Sequence, residues 1–147
     1  AKIACPDTPV VGFAGDGAFG ISMNEMTAIG RNDWPPITMV IFRNYQWGAE
    51  KRNTTLWFDD NFVGTELNLG VEYAKIAEGC GLKGIQVRGM EALSTALQDA
   101  IEGQMKRGET TFIECVLNQE LGEPFRRDAM TVPVKVAGID PNDMQSQ

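Results

Sequence analysis

The apolar positions of this chain fall into short unbroken runs, separated by polar stretches with helical spacing. Thr8 to Ala14 is one such run, bounded by Pro and Gly, and predicts a buried strand. Gly15 to Gly20 interrupts it with small residues. From Ile21 to about Arg31 the spacing turns helical, with Ile21, Met26 and Ile29 able to share one face. Asn32-Asp33-Trp34-Pro35-Pro36 ends that helix, because αR backbone does not run on into two prolines. Ile37 to Phe42 is apolar and rich in β-branched residues, a second buried strand, which Arg43-Asn44-Tyr45-Gln46 leaves.

Beyond Asn44 the pattern weakens. Tyr45 to Asn68 is polar and aromatic without clear periodicity, which predicts a long irregular loop that covers a site or packs on a neighbouring chain. Val71 to Gly79 reads as a helix and Gly84 to Arg88 as a short strand. Met90 to Arg107 is the longest predicted helix, with Leu93, Leu97, Ile101 and Met105 spaced four apart, weakened at Gly103 and stopped at Gly108. Thr110 to Leu117 is a further buried strand, with Cys115 in the core. The order β-α-β-loop-α-β-α-β predicts an α/β fold, a parallel sheet flanked by helices. Residues 1–117 form the predicted domain. Residues 118–147, punctuated by Gly122, Pro124, Pro133, Gly138 and Pro141, read as a tail packing on the domain or on a partner subunit.

Composition narrows the functions open to it. At 147 residues the chain is one domain, and its formal charge of −7 with no basic block argues against nucleic acid as a partner. No apolar run approaches the length of a membrane span, and no signal peptide is visible. Cys5, Cys80 and Cys115 are odd in number and widely spaced, the usage of reduced thiols in a cytoplasmic protein. The absence of histidine excludes Ser-His and Cys-His catalysis and His-ligated zinc.

The chemistry lies at the ends of the first two strands. Gly15-Asp16-Gly17 follows the first and Asn44, 28 positions after the aspartate, follows the second. A crossover of this length suits parallel strands. If the strands are neighbours, a carboxylate and an amide oxygen open on the same sheet edge, where ligands of open α/β folds bind. Hard oxygen donors suit Mg2+, which keeps room for water and phosphate oxygens. The glycines let backbone N–H groups approach a phosphate, and the following helix N-terminus favours an anion. Lys51 and Arg52, just after the turn, read either as an anion clamp or as a solvated pair. Arg126 and Arg127 read as salt-bridge partners of Asp128 and Glu123 before anion clamp, Glu25 as structural, and Phe19 and Trp47 as packing before pocket wall.

These segments together resemble the diphosphate-binding domain of thiamine-diphosphate enzymes of the acetolactate synthase type. The resemblance rests on GDGAFGISMNE from Gly15 and NYQWGAEK from Asn44, with FVGT from Phe62 and QELGEPFRRDA from Gln119. It implies thiamine diphosphate and Mg2+ as cofactors. Asp16, Asn44 and the backbone carbonyl of Gln46 would ligate the metal, and Gly15, Gly17 and Ala18 would present backbone to the diphosphate. It implies an acyl transfer in which sulfoacetaldehyde and inorganic phosphate give acetyl phosphate and sulfite, in a homo-oligomeric enzyme. Two departures from the superfamily pattern are visible: Arg43 stands where many members have a first Asn, and Ala18 where many have a hydroxyl. The family's cofactor-activating glutamate lies in an N-terminal domain and comes from the partner subunit. The chain is therefore expected to be a C-terminal part of a longer polypeptide, inactive alone. Another carboligase or decarboxylase of the superfamily, such as acetolactate synthase, and a non-catalytic α/β interaction module are the alternatives.

Overall fold

A computed structural model describes residues 1–31 and 34–120. Four parallel strands form one sheet in the order β1-β2-β4-β3, with β1 at Val11–Gly15, β2 at Thr38–Arg43, β3 at Lys83–Arg88 and β4 at Thr111–Val116. Gly15 pairs with Phe42 in register, so the chain leaves β1 and β2 at the same level of the sheet. That is the placement the motif spacing predicts.

β4 is buried at every position, as a central strand covered on both faces should be; β1, expected to be buried, is instead an edge strand with Phe13 62% exposed. Strand alternation splits the core into two layers. On one face Ile41 and Phe112 pack with Phe19, Met26, Tyr73, Ala77 and Leu82. On the other, Val40, Ile113 and Cys115 pack with Val87 and Ala100. The first layer is roofed by α1 (Asp16–Ile21), α2 (Met26–Ile29) and α4 (Tyr73–Gly79), and the second by α5 (Met90–Glu102). Phe19 meets Tyr73 edge-on at 5.5 Å and Phe112 at 5.1 Å, so Phe19 is packing, not pocket wall.

Several predicted elements differ from those observed. The helix expected from Ile21 is broken: α1 ends at Ile21, a 3-10 turn occupies Met23–Glu25, and α2 follows. Met26 is core, but Ile21 is 72% exposed because the break rotates it away from the face of Met26. The stretch read as loop contains α3, Gly48–Trp57. None of its residues is fully buried, so it carries no apolar stripe for periodicity to detect. Gly103 does interrupt the longest helix, and from there to Arg107 the backbone takes a π-helical turn that Gly108 closes at a φ of 68°. Gln104 in that turn docks β1: its amide accepts from Val10 N–H at 2.7 Å and donates to Val10 C=O at 2.9 Å, as a neighbouring strand would. Of the predicted tail, residues 121–147, including Glu123 and Arg126 to Asp128, lie outside the described residues.

Candidate metal centre

Asp16 is the first residue of α1 and is 2% exposed. Its position follows from the switch at Gly15, where strand backbone gives way to helix. The carboxylate accepts the N–H of Gly17 at 3.0 Å and, across to the second strand tip, the N–H of Tyr45 at 2.8 Å. Two strand tips are thereby tied by a carboxylate and a backbone amide. Asn44 and Gln46 flank Tyr45, which takes a left-handed backbone with a φ of 62°. An Asp-Gly turn or a lone Asn would not show this pairing.

As placed, the Asn44 amide oxygen faces two other oxygens. Asp16 Oδ1 lies 3.2 Å from it and the Gln46 carbonyl oxygen 3.0 Å. The donor it meets, Gln46 N–H, is distant at 3.4 Å. Rotating the amide half a turn converts both close approaches into N–H donations, the arrangement that hydrogen bonding favours with no cation present. With oxygen inward, three hard oxygens would be brought close together. Neighbouring ligands on an octahedral Mg2+ at about 2.1 Å lie about 2.9 Å apart, close to the spacings here. The residues predicted to ligate a metal, Asp16, Asn44 and Gln46, are thus brought together by the fold. Among the described residues no group of three His, Cys, Asp or Glu converges, so the donor set is one carboxylate with amide and carbonyl oxygens, suited to a hard cation.

The cleft beside these oxygens has a volume of about 390 Å3. Gly15, Gly17, Ala18, Gly48 and Ala49 supply much of its wall, so backbone is open to a ligand. Trp47 lies over Gly17: a Cβ added at Gly17 would stand 2.9 Å from the indole ring. Trp47 is therefore pocket wall, where packing was the expected reading. α1 has only six residues, so its end dipole is weaker than the sequence reading assumed. The N-terminal residues of α3 also line the cleft.

Lys51 and Arg52 do not line it. Lys51 forms an ion pair with Glu66 and lies 5.2 Å from the Phe62 ring, and Arg52 is half-buried on the same helix. Lys51 holds the Glu66 carboxyl below its ordinary value. Glu25 is exposed on the 3-10 turn. The start of the tail returns to the site: Gln46 Nε2 donates to Gln119 C=O at 2.9 Å, and Gln119 Nε2 donates to Glu66 at 3.0 Å.

Sequence reasoning missed what lies beneath the turn. Arg43 and Glu114, 2% and 0% exposed, form an ion pair between β2 and β4. Burial pushes the Glu114 carboxyl up, but the Ala74 N–H and the side chains of Arg43 and Gln86 outweigh it and hold the group below its ordinary value. A signal was present: one glutamate inside the otherwise apolar strand Thr111–Val116 demands a buried partner.

Comparison with known proteins gives the family and the fold. The thiamine pyrophosphate enzyme C-terminal TPP binding domain matches residues 1–115. The chain belongs to that family. Over all 147 residues this TPP-binding domain is 75% identical to a probable sulfoacetaldehyde acetyltransferase of Rhizobium meliloti, of which it covers 25%. It is 72% identical to the sulfoacetaldehyde acetyltransferase of Rhodobacter capsulatus, again covering 25% of that protein. The chain thus spans about a quarter of the length of these curated relatives. In fold it resembles the benzoylformate decarboxylase of Polynucleobacter necessarius, with a TM-score of 0.66 at 22% identity over 82% of this chain and 22% of that one. The expected parallel α/β architecture is that of the TPP-binding domain.

Proposed function

We propose that this TPP-binding domain is the metal- and diphosphate-holding part of a sulfoacetaldehyde acetyltransferase, which converts sulfoacetaldehyde and inorganic phosphate to acetyl phosphate and sulfite. The observation that carries the metal reading is that the Asn44 side-chain amide stands 3.2 Å from Asp16 Oδ1 and 3.0 Å from the Gln46 carbonyl oxygen, so that turning its oxygen inward gathers three hard donors. The choice of substrate rests on the identity of 70–75% along the whole chain to three relatives of that name.

In this reading Asp16, Asn44 and Gln46 hold Mg2+, and Gly15, Gly17 and Ala18 present backbone to the diphosphate. Thiamine diphosphate, when bound, supplies the carbon nucleophile for the aldehyde carbonyl. The chain's own contribution is orientation and electrostatics. The carboxylate of Asp16, itself 2% exposed, would offset part of the dication's charge. The Trp47 ring closes one wall of the cleft above Gly17. The exposed side chains Trp57, Phe58, Phe62 and Val63 support a contact with another copy of the chain, as in a homo-oligomer. The free thiols support a cytoplasmic location, and the acidic balance leaves nucleic acid out. Among the described residues no helix is long and apolar enough to cross a membrane.

Calorimetric titration of the complete polypeptide with thiamine diphosphate, in Mg2+ and in chelator, tests the reading. Binding is expected only with metal and is expected to vanish in Asp16→Ala. Sulfite is expected from sulfoacetaldehyde and phosphate. Metal-independent binding that survives Asp16→Ala refutes the metal site, and an inert response to sulfoacetaldehyde refutes the substrate.

A further inference from the structure

We propose that the buried Arg43–Glu114 pair is the positioning device of the metal-ligating turn, so that cation affinity depends on it more than folding does. The inference rests on the metal reading given above. Arg43 immediately precedes Asn44, and its guanidinium does three things at once. It forms the ion pair with Glu114. It donates through Nη2 to the carbonyls of Asn68 at 3.3 Å and Leu69 at 3.2 Å. It lies 4.4 Å from the Tyr45 ring centre and 5.1 Å from that of Tyr73.

These contacts close a circuit around Gln46. The segment held by Arg43 at Asn68 and Leu69 runs back past the turn. There Leu67 N–H donates to Tyr45 C=O at 2.8 Å and Trp47 N–H to Thr65 C=O at 2.8 Å. Gln46 is thereby bridged to Glu66 as an isolated antiparallel pair. The residue before the ligand Asn44 and the residues flanking the ligand Gln46 are fixed from the same guanidinium. Tyr45, between the two ligands, holds a left-handed backbone that a side chain adopts only when its surroundings dictate it.

The other half of the pair is equally closed. The second Glu114 oxygen accepts Ala74 N–H at 3.0 Å and Gln86 Nε2 at 3.2 Å. The carboxylate therefore cannot swing toward the metal site, and Arg43 cannot leave without stranding it. A buried ion pair is a weak source of stability compared with apolar packing. Its value here is that Arg's planar fork sets distance and angle, which a lysine's point charge does not.

The test uses the complete polypeptide with Arg43→Lys and Glu114→Gln, both close in size to the native residues. The readouts are the Mg2+ concentration that half-saturates thiamine diphosphate binding, the melting temperature without metal, and hydrogen exchange at the Trp47 and Leu67 amides. Half-saturating Mg2+ is expected to rise about tenfold or more in each variant, the range seen when a group supporting a metal ligand is lost. Exchange at both amides is expected to quicken, and excess Mg2+ is expected to restore cofactor binding. Variants that melt lower but keep the native Mg2+ requirement overturn the proposal, as does failure of both to fold. A native protein that binds no cofactor with Mg2+ sinks the functional reading itself, an outcome distinct from unchanged variants of a native protein that does bind.

Discussion

Both ends of the sheet carry charge beside a cleft, and they differ in how that charge is answered. At the N-terminal edge a cleft of about 520 Å3 is lined by Lys83 and Glu109 among others. There Lys83 pairs with Asp99 and Glu109, and Arg107 with the same two acids. At the C-terminal edge the cleft is smaller, about 390 Å3, and its acid, Asp16, is held by backbone N–H groups beside two neutral oxygens. Size alone does not rank the two clefts. The larger cleft is closed chemically, because its charges already satisfy one another. The smaller one is open, because its one acid has no cationic partner and is met only by neutral amide groups.

The sharpest way to break this comparison is to remove the support beneath the open end. Glu114→Ala leaves Arg43 charged and buried, at a cost of about 3–5 kcal/mol. Asp16→Ala leaves neutral N–H donors, those of Gly17 and Tyr45, without their acceptor and strands no charge, at about 1–3 kcal/mol. Urea unfolding of both variants without metal measures the two. The Glu114 loss is expected to be the larger. Equal losses would mean that Asp16 is also a structural acid and that the two ends differ less than the contacts say.

The next effect concerns the wall of the open cleft. Gly17→Ala places a methyl group 2.9 Å from the Trp47 ring. A helical position gains from alanine by about 1 kcal/mol, which offsets part of the clash, so folding stability is expected to change little. The displaced indole is expected to weaken thiamine diphosphate binding by about tenfold, or ~1.4 kcal/mol, with a shifted tryptophan emission. Unchanged affinity would remove Trp47 from the wall.

The open end is the part most legible in the sequence, for a physical reason. Strand runs with terminal Gly-Asp-Gly and Asn declare both their own ends and the edge they share, since parallel neighbours leave the sheet at one level. Gly15 and Phe42 lie in register, as that logic requires. Gln46 as a carbonyl ligand came from family resemblance, because a backbone oxygen leaves no mark in composition. Helix α3 was illegible because it buries none of its residues fully, and periodicity reports only a buried face. The Arg43–Glu114 pair spans 71 positions. No local pattern couples residues so far apart, although a charge in each of two apolar strands is a cue that they meet. Lys51 shows the converse. Its place after the turn suggests an anion site, yet Glu66, brought alongside by the Gln46 bridge, already pairs with it.

The smallest effect is expected at the closed end. The Lys83 hydrogen bond, followed by that from Arg107, holds the Asp99 carboxyl below its ordinary value, and Arg107 does the same for Glu109. Carboxyls depressed in the folded state contribute stability above their unfolded pKa and lose it as pH falls through the folded one. The gap in urea midpoint between the native protein and Asp99→Asn should therefore be open at about pH 7 and close in acid, below the ordinary carboxylate range. All four side chains are solvent-accessible, so the gap should also narrow in about 1 M salt, where the Debye length is about 3 Å. Cofactor affinity should not move at all, since the pairs lie at the opposite edge from Asp16. A gap that persists in acid would trace to packing instead of charge. A change in cofactor affinity would join the two ends of the sheet and end the contrast drawn between them.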